Sequence, residues 1–397
     1  MIFNNISEAE KDPILGLTEE FKNDLNSKKV NLSVGVYQDD KGNTPTLPSV
    51  TEAEKEILNQ NISKTYKPID GDKEFTEKSI QLVAGEDLFS EINNTSFGLN
   101  TPGGTGALRL ASDFLFQFSS KSKVWISNPS WPNHKPIFEA SGFKVDIYPY
   151  FNNESNSIDF ESLTSTIKKI PKGDVLVMHG CCHNPTGEDL KAEHWDEVSD
   201  IAKSNNLLVI CDFAYQGLAD GLDDDANGVR KMIRNLDNLI ICTSYSKNFG
   251  LYSERVGCLI YNSKNESNCA PVLSHMKKTA RSNYSNPPAH GSEIVKFILS
   301  HNSLRDKWKE DLNNMRDRIK NMRKLLVKEL KNKGCSKDFS FIERQKGMFS
   351  YTGLSKDQVN ALKKNNSIYI VNSGRINIAG LTTTNVEYVA NAIKDVI

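Results

Sequence analysis

The chain has 397 residues, with 49 Lys and Arg against 50 Asp and Glu, a net charge of −1. That length suffices for two or three domains with real cores. The charge balance offers no bulk attraction to nucleic acid or to an anionic membrane, and no run approaches the ~18 apolar residues of a spanning helix.

The opening MIFNNISEAEKDP is acidic and polar, unlike a secretory signal or an Arg-rich transit peptide. A helix is predicted over 106–118. Strand-like runs then follow at Val124–Ser127, Val145–Tyr150, Asp174–Gly180, Leu207–Tyr215, Leu239–Tyr245 and Val256–Tyr261. All are short, apolar on both faces and rich in Val and Ile, which suits a mostly parallel sheet covered on both sides by helices. An amphipathic helix is predicted over 190–203. The fold class is therefore α/β, and in such sheets ligands sit at the C-terminal ends of the strands. A long helix is predicted over 303–333, with Leu312, Met315, Ile319, Met322 and Leu326 on one face. Its Lys and Arg residues read as a solvated face, since no aromatic residues interleave them as in an RNA-binding surface. Smaller alternating elements over 338–397 form a second, smaller domain together with the N-terminal segment. Cys181, Cys182, Cys211, Cys242 and Cys258, from a set of seven without framework spacing, stand in or beside apolar runs. They read as reduced, mostly buried thiols of a cytoplasmic protein.

Lys247 ends one of those runs, between Ser246 and Asn248, with Arg255 eight residues on. A lone loop lysine is ordinarily a surface residue. Here an apolar strand precedes it, and the small hydroxyls of Ser244 and Ser246 flank it. A lysine desolvated near another cation has a lowered pKa and can form a Schiff base. The serines and Arg255 suit a phosphate, which a guanidinium grips with two N–H groups. The stretch TPGGTGALR, Thr101–Arg109, is glycine-rich and opens a helix, where backbone N–H groups bind phosphate. It is not G-x-G-x-x-G, no Lys-Ser/Thr follows, and no apolar strand precedes it, so neither a dinucleotide nor an ATP site is indicated. Read alone, it fits a phosphate site and a flexible turn equally. Asp212 ends a buried run and needs a partner. It is either a helix cap or the counter-charge of a cationic ring nitrogen, with the Tyr215 hydroxyl offered to the same ligand.

Two stretches imitate metal sites. In HGCCH, His179–His183, adjacent cysteines chelate poorly, and no second Cys/His pair has zinc spacing. In DDDANG, Asp223, Asp225, Asn227 and Gly228 match the first half of a calcium loop, but Arg234 stands where a bidentate glutamate is required. A polar surface turn is expected there, and no metal at either place.

Ten segments in order carry a resemblance: DPILGL, VNLSVGVY, TPGGTGALR, NPSWPNH, HGCCHNPTG, DFAYQG, SYSKNFGLYSERVG, RSNYSNPPAHG, GMFSYTGL and SGRINIAGL. The chain resembles, over nearly its whole length, the aminotransferases of fold type I that use pyridoxal 5′-phosphate, and among them the aspartate branch with its aromatic-acid relatives. The resemblance implies an N-terminal arm over 1–13, a small domain over 14–44 and 315–397, and a large cofactor-binding domain over 45–314. It implies that Lys247 carries the cofactor as a Schiff base and that Gly104, Thr105, Ser244, Ser246 and Arg255 hold its phosphate. Asp212 would pair with the pyridine nitrogen, supported by His134, with His179 lining the same side. Tyr215 and Asn184 would bond the ring's 3-oxygen, and Trp131 would stack on the ring. Arg375 would clamp the substrate α-carboxylate, and Gly35 would lie on the segment closing over substrate. Tyr66 and Arg281 would come from the other subunit of a homodimer, the first to the phosphate and the second to the distal carboxylate.

Two arginines at opposite ends fit a dicarboxylate. The expected activity is therefore ping-pong transfer of an amino group from L-aspartate to 2-oxoglutarate. An aromatic or broad-specificity aminotransferase is the alternative, because Pro68 stands in YKPIDG where many aspartate enzymes have glycine. A lyase or decarboxylase on this fold is disfavoured by the intact arginine pair. A cofactor-sensing regulator would need a fused DNA-binding domain, and the chain opens on the family's own arm.

Overall fold

Runs of Val, Ile and Cys with no polar face are stable only when covered on both sides. In the computed structural model, which describes residues 2–8 and 14–397, such runs build one sheet. Its strands are β1 (Ser96–Pro102), β2 (Lys123–Asn128), β3 (Lys144–Pro149), β4 (Val175–His179), β5 (Leu208–Phe213), β6 (Asn238–Ser244) and β7 (Val256–Ser263). Their spatial order is β1-β7-β6-β5-β4-β2-β3. From β3 to β6 every pairing is parallel, as the sequence predicts. β7 runs antiparallel to both β6 and β1.

β1 corrects the sequence reading, because a strand does precede TPGG. It reads SFGLNTP, and its Asn100 and Thr101 are buried all the same. The Thr101 hydroxyl donates to Gly103 O at 3.1 Å, so the residue is satisfied without water.

The helices that frame the site are α1 (Lys73–Ile92), α2 (Gly103–Ser119), α3 (Ala192–Ser204), α4 (Leu222–Asn235) and α5 (Asn302–Asn332). α2 places Ala107, Leu108, Ala111, Phe114 and Leu115 on one face, against Leu99, Val124, Val177, Ile240 and Leu259 of the sheet. α1 is broken at Gly85, whose φ of 76° and ψ of 164° are not helical. On α5, Leu312, Met315, Ile319, Met322 and Leu326 are all buried. DDDANG is not the expected surface turn. It forms the opening turns of α4, where acids suit the helix dipole. Asp225 is buried and accepts the N–H groups of Gly217, Ala219, Asp220 and Gly221.

Two compact units result. One is Thr44–Arg318 with Gln345–Gly347, holding the sheet. The other takes the described residues up to Asn43 with Ile319–Arg344 and Met348–Ile397. In the smaller unit Val30–Asn31 pairs with Ile368–Tyr369 in parallel, and Phe349–Tyr351 with Arg375–Asn377 antiparallel. Much of the expected arm, together with Asp12 and Pro13 of DPILGL, lies outside the described residues. No helix among those described is long and apolar enough to cross a membrane.

α3 packs on α4 through an absent side chain. A Cβ on Gly228 would sit 2.3 Å from the Trp195 ring, itself buried. Alanine normally favours a helix over glycine by about 1 kcal/mol. Here overpacking wins, and Gly228→Ala is expected to lose about 1–3 kcal/mol. Urea unfolding checks this, and a variant as stable as the wild type would mean that the indole yields.

Candidate active site

Three parallel strands end along one edge of the sheet. His179 on β4 pairs with Asp212 on β5, and Asp212 with Cys242 on β6. Ser244 then faces Gly257 on the returning β7. The connection between β6 and β7 carries Ser246, Lys247 and Arg255.

Asp212 is 7% exposed, and its Oδ2 lies 2.9 Å from Nε2 of the fully buried His134. The other ring nitrogen of His134 is 2.8 Å from Ser130 Oγ. Burial works against the carboxylate's charge. The hydrogen bond to His134 and the nearby His134, His179 and Lys247 outweigh it and hold the Asp212 carboxyl below its ordinary value. Trp131 meets His134 edge-on at 5.3 Å between ring centres. Burial, with His183 and His134 alongside, holds His179 well below the usual imidazole range. The Lys247 ammonium lies 4.9 Å from the centre of the Tyr215 ring. Loss of water pushes its pKa down to about 8. Asp212 opposes that shift, and Arg255 adds to it.

The opening of α2 closes on this edge by backbone approach. A Cβ on Gly257 would fall 2.4 Å from the carbonyl carbon of Gly103. One on Gly103, whose φ is +71°, would fall 2.5 Å from an Arg255 guanidinium nitrogen, and one on Gly104 3.1 Å from Ser244 Cβ. No side chain caps the N-terminus of α2. Uncapped N–H groups, Thr105, the Ser244 and Ser246 hydroxyls and Arg255 make a donor set for a phosphate group. Asp212 suits a cationic ring nitrogen, and an amine with a pKa near 8 suits attack on a carbonyl.

The family model for aminotransferase class I and II matches residues 27–393. An aspartate aminotransferase of Salmonella typhi is 46% identical over 396 residues, covering 100% of both chains. The chain belongs to the class I and II aminotransferases. An aromatic-amino-acid aminotransferase of Pseudomonas aeruginosa is 41% identical, covering 99% of this chain and 98% of the relative. The crystal structure of an aromatic-amino-acid aminotransferase from Burkholderia pseudomallei, covalently bound to pyridoxal phosphate, superposes with a TM-score of 0.97. That pair is 42% identical and covers 100% of this chain and 99% of the other.

In this aminotransferase Asn184 and Tyr215 are buried. Tyr66 is 89% exposed, and Arg281 is also exposed, bonded to Ser285 Oγ. Tyr66 lies on a loop and Arg281 in the last turn of the helix Cys269–Asn283, and the segment beyond that helix reaches the Tyr66 loop, since Asn286 Nδ2 donates to Lys67 O at 2.6 Å. The smaller unit holds Gly35 and Arg375. The Arg375 guanidinium lies 4.2 Å over the Phe349 ring and donates to Ser33 O. A Cβ on Gly35 would meet that ring at 2.6 Å.

Within HGCCH, His179 faces the site beside Asp212, and the rest of the segment serves packing. His183 stacks on Tyr150 at 3.8 Å and bonds Ser127 and Thr186. Ligand atoms of Cys181, Cys182 and Asp225 come within 4.8 Å. Asp225 is already committed to four amides, and burial holds the Cys181 thiol well above its ordinary pKa. The sequence reading missed Gln216 and Asn248, the residues after Tyr215 and Lys247. Asn248 Nδ2 donates to Gln216 O at 3.2 Å, and Trp308 Nε1 to Asn248 O at 2.8 Å, so the two loops are tied together. Gln216 Nε2 also donates to Leu82 O and Leu222 O. Adjacency to the lysine and the tyrosine was the available signal.

The Lys247 shift has a sign that can be checked. Below about pH 8 the folded chain carries a partly buried ammonium; between there and the ordinary 10.5 it binds fewer protons than the unfolded chain. Stability from this residue therefore rises with pH across that window. In cofactor-free protein, acylation of Lys247 followed by mass spectrometry should show a midpoint near pH 8. Asp212→Asn should lower that midpoint, because the carboxylate favours the ammonium. A midpoint at the ordinary lysine value would contradict the burial argument.

Proposed function

We propose that the protein is an aspartate aminotransferase that transfers the amino group of L-aspartate to 2-oxoglutarate, giving oxaloacetate and L-glutamate. Pyridoxal 5′-phosphate is attached through Lys247. The observation that carries this reading is the buried Asp212 kept ionised by His134 beside an amine of lowered pKa. Bound there, the cofactor supplies a carbonyl that takes up the amino group and a ring that withdraws electrons from the substrate Cα.

The chain's own residues supply the rest. Asp212 holds a proton on the pyridine nitrogen, and Trp131 stacks on the ring. Asn184 and Tyr215 donate to the ring's 3-oxygen. Gly104, Thr105, Ser244, Ser246 and Arg255 hold the phosphate. Once the incoming amino group has displaced it, the Lys247 amine would lie beside the substrate Cα, where it could take the Cα proton and return it on the far side of the nitrogen, acting as base and then acid. Arg375 grips the α-carboxylate, and Gly35 leaves room beside it. Tyr66 and Arg281 act on the site of a second copy in a homodimer. Their exposure, and the bond from Asn286 beyond the Arg281 helix to Lys67 beside Tyr66, support that assignment. A cytoplasmic setting accords with seven cysteines of which none is in a disulfide.

Pro68, and relatives at 41% and 42% identity named for aromatic substrates, favour a second reading as a broad-specificity enzyme. One experiment separates the two. The loaded protein is mixed, without keto acid, with aspartate, glutamate, phenylalanine and tyrosine in turn, and the absorption of the Lys247-bound cofactor is followed. Fast loss with the dicarboxylates alone is expected; comparable rates with the aromatics would establish the broad enzyme. Loss with none of them would refute aminotransfer. Arg281→Leu should reduce kcat/KM for aspartate at least tenfold more than for phenylalanine. Equal losses would remove Arg281 from the distal carboxylate.

A further inference from the structure

Behind the loops of Tyr215 and Lys247 lies a second cavity, of about 310 Å³. Trp308, whose indole holds Asn248 O, is part of its wall, as are Leu82 and Leu222, whose carbonyls Gln216 holds. The break in α1 at Gly85 borders it, and beside that break Arg230 Nε donates to Val83 O at 2.9 Å. Its charged lining is Lys78, Arg230, Arg305 and Lys309 against Glu86 and Asp223.

Those charges are not balanced within the lining. Arg230 is paired with Asp223 at 2.7 Å, and Glu86 is bonded by Gln81. Lys78 donates to the neutral Gln81 Oε1, and Lys309 meets Asp306 only at 3.8 Å. Arg305 donates through Nη2 to Asn302, while its Nε is buried without a hydrogen-bond partner among the described residues. A guanidinium N–H shut away from water with no acceptor is costly, and an anion supplies the acceptor that is lacking. Four cations against two carboxylates leave two positive charges around a space too small for a large metabolite. We propose that this cavity binds a small doubly charged oxyanion of the phosphate or sulfate class, with Arg305 as its central donor.

The test is calorimetric titration of the cofactor-loaded protein with sodium phosphate, ionic strength being held constant with sodium chloride. One saturable site per chain is expected. Arg305→Gln should weaken it at least tenfold, and Lys309→Gln, at an exposed position that cannot unfold the chain, severalfold. Absence of saturable heat, or wild-type binding by both variants, overturns the proposal. So does binding confined to cofactor-free protein, which would be phosphate beside Arg255. Should no cofactor load at all, the reading of Lys247 fails separately. The same titration on Arg255→Leu then decides this site.

Discussion

A carboxylate withdrawn from water at the end of a parallel strand has to be answered by another group, and much of the larger unit is arranged around that requirement. Asp212 cannot be solvated where β5 leaves it, and His134 answers it with a ring that Ser130 holds in turn. The charge so preserved draws on the lysine one strand away, and Arg255 pushes in the opposite sense. With burial as the largest cause, what results is an amine that changes protonation state near pH 8, which suits moving protons in both directions. Neither residue has this property alone. It belongs to the spacing of β5 and β6 and to the burial of their ends.

A second constraint is steric. The N-terminus of α2 reaches the strand ends only because Gly103, Gly104 and Gly257 have no side chains. A helix terminus with free N–H groups attracts anions over a short range, so the approach decides whether the dipole acts on a bound phosphate.

What the sequence disclosed followed from contrast. Lys247 and Asp212 stood out because each ends an apolar run, and the sheet and α5 because their periodicity was unbroken. β1 was hidden by Asn100, Thr101 and Pro102, polar or strand-averse residues that its neighbours bury and satisfy. Asp225 looked like a calcium ligand because composition does not tell which donors a carboxylate faces, and here they are backbone amides. Gln216 and Asn248 showed only their adjacency to Tyr215 and Lys247, because their partners, Leu82 and Trp308, are remote in sequence. The contact of Gly103 with Gly257 was unreadable for the same reason. Motif order proposes more than local physics does, since the roles of Tyr66, Arg281 and Arg375 rest on it alone.

The reversal of β7 has a consequence for how the chain reaches this state. Parallel strands need a crossover before they can pair, and each crossover closes a long loop. β6 and β7 need only the short connection that carries Lys247 and Arg255. Contacts close in sequence are cheap in loop entropy and tend to form early. The cationic half of the proposed phosphate cradle is therefore local in the chain, whereas Asp212 and the glycines of α2 reach it from farther away in sequence.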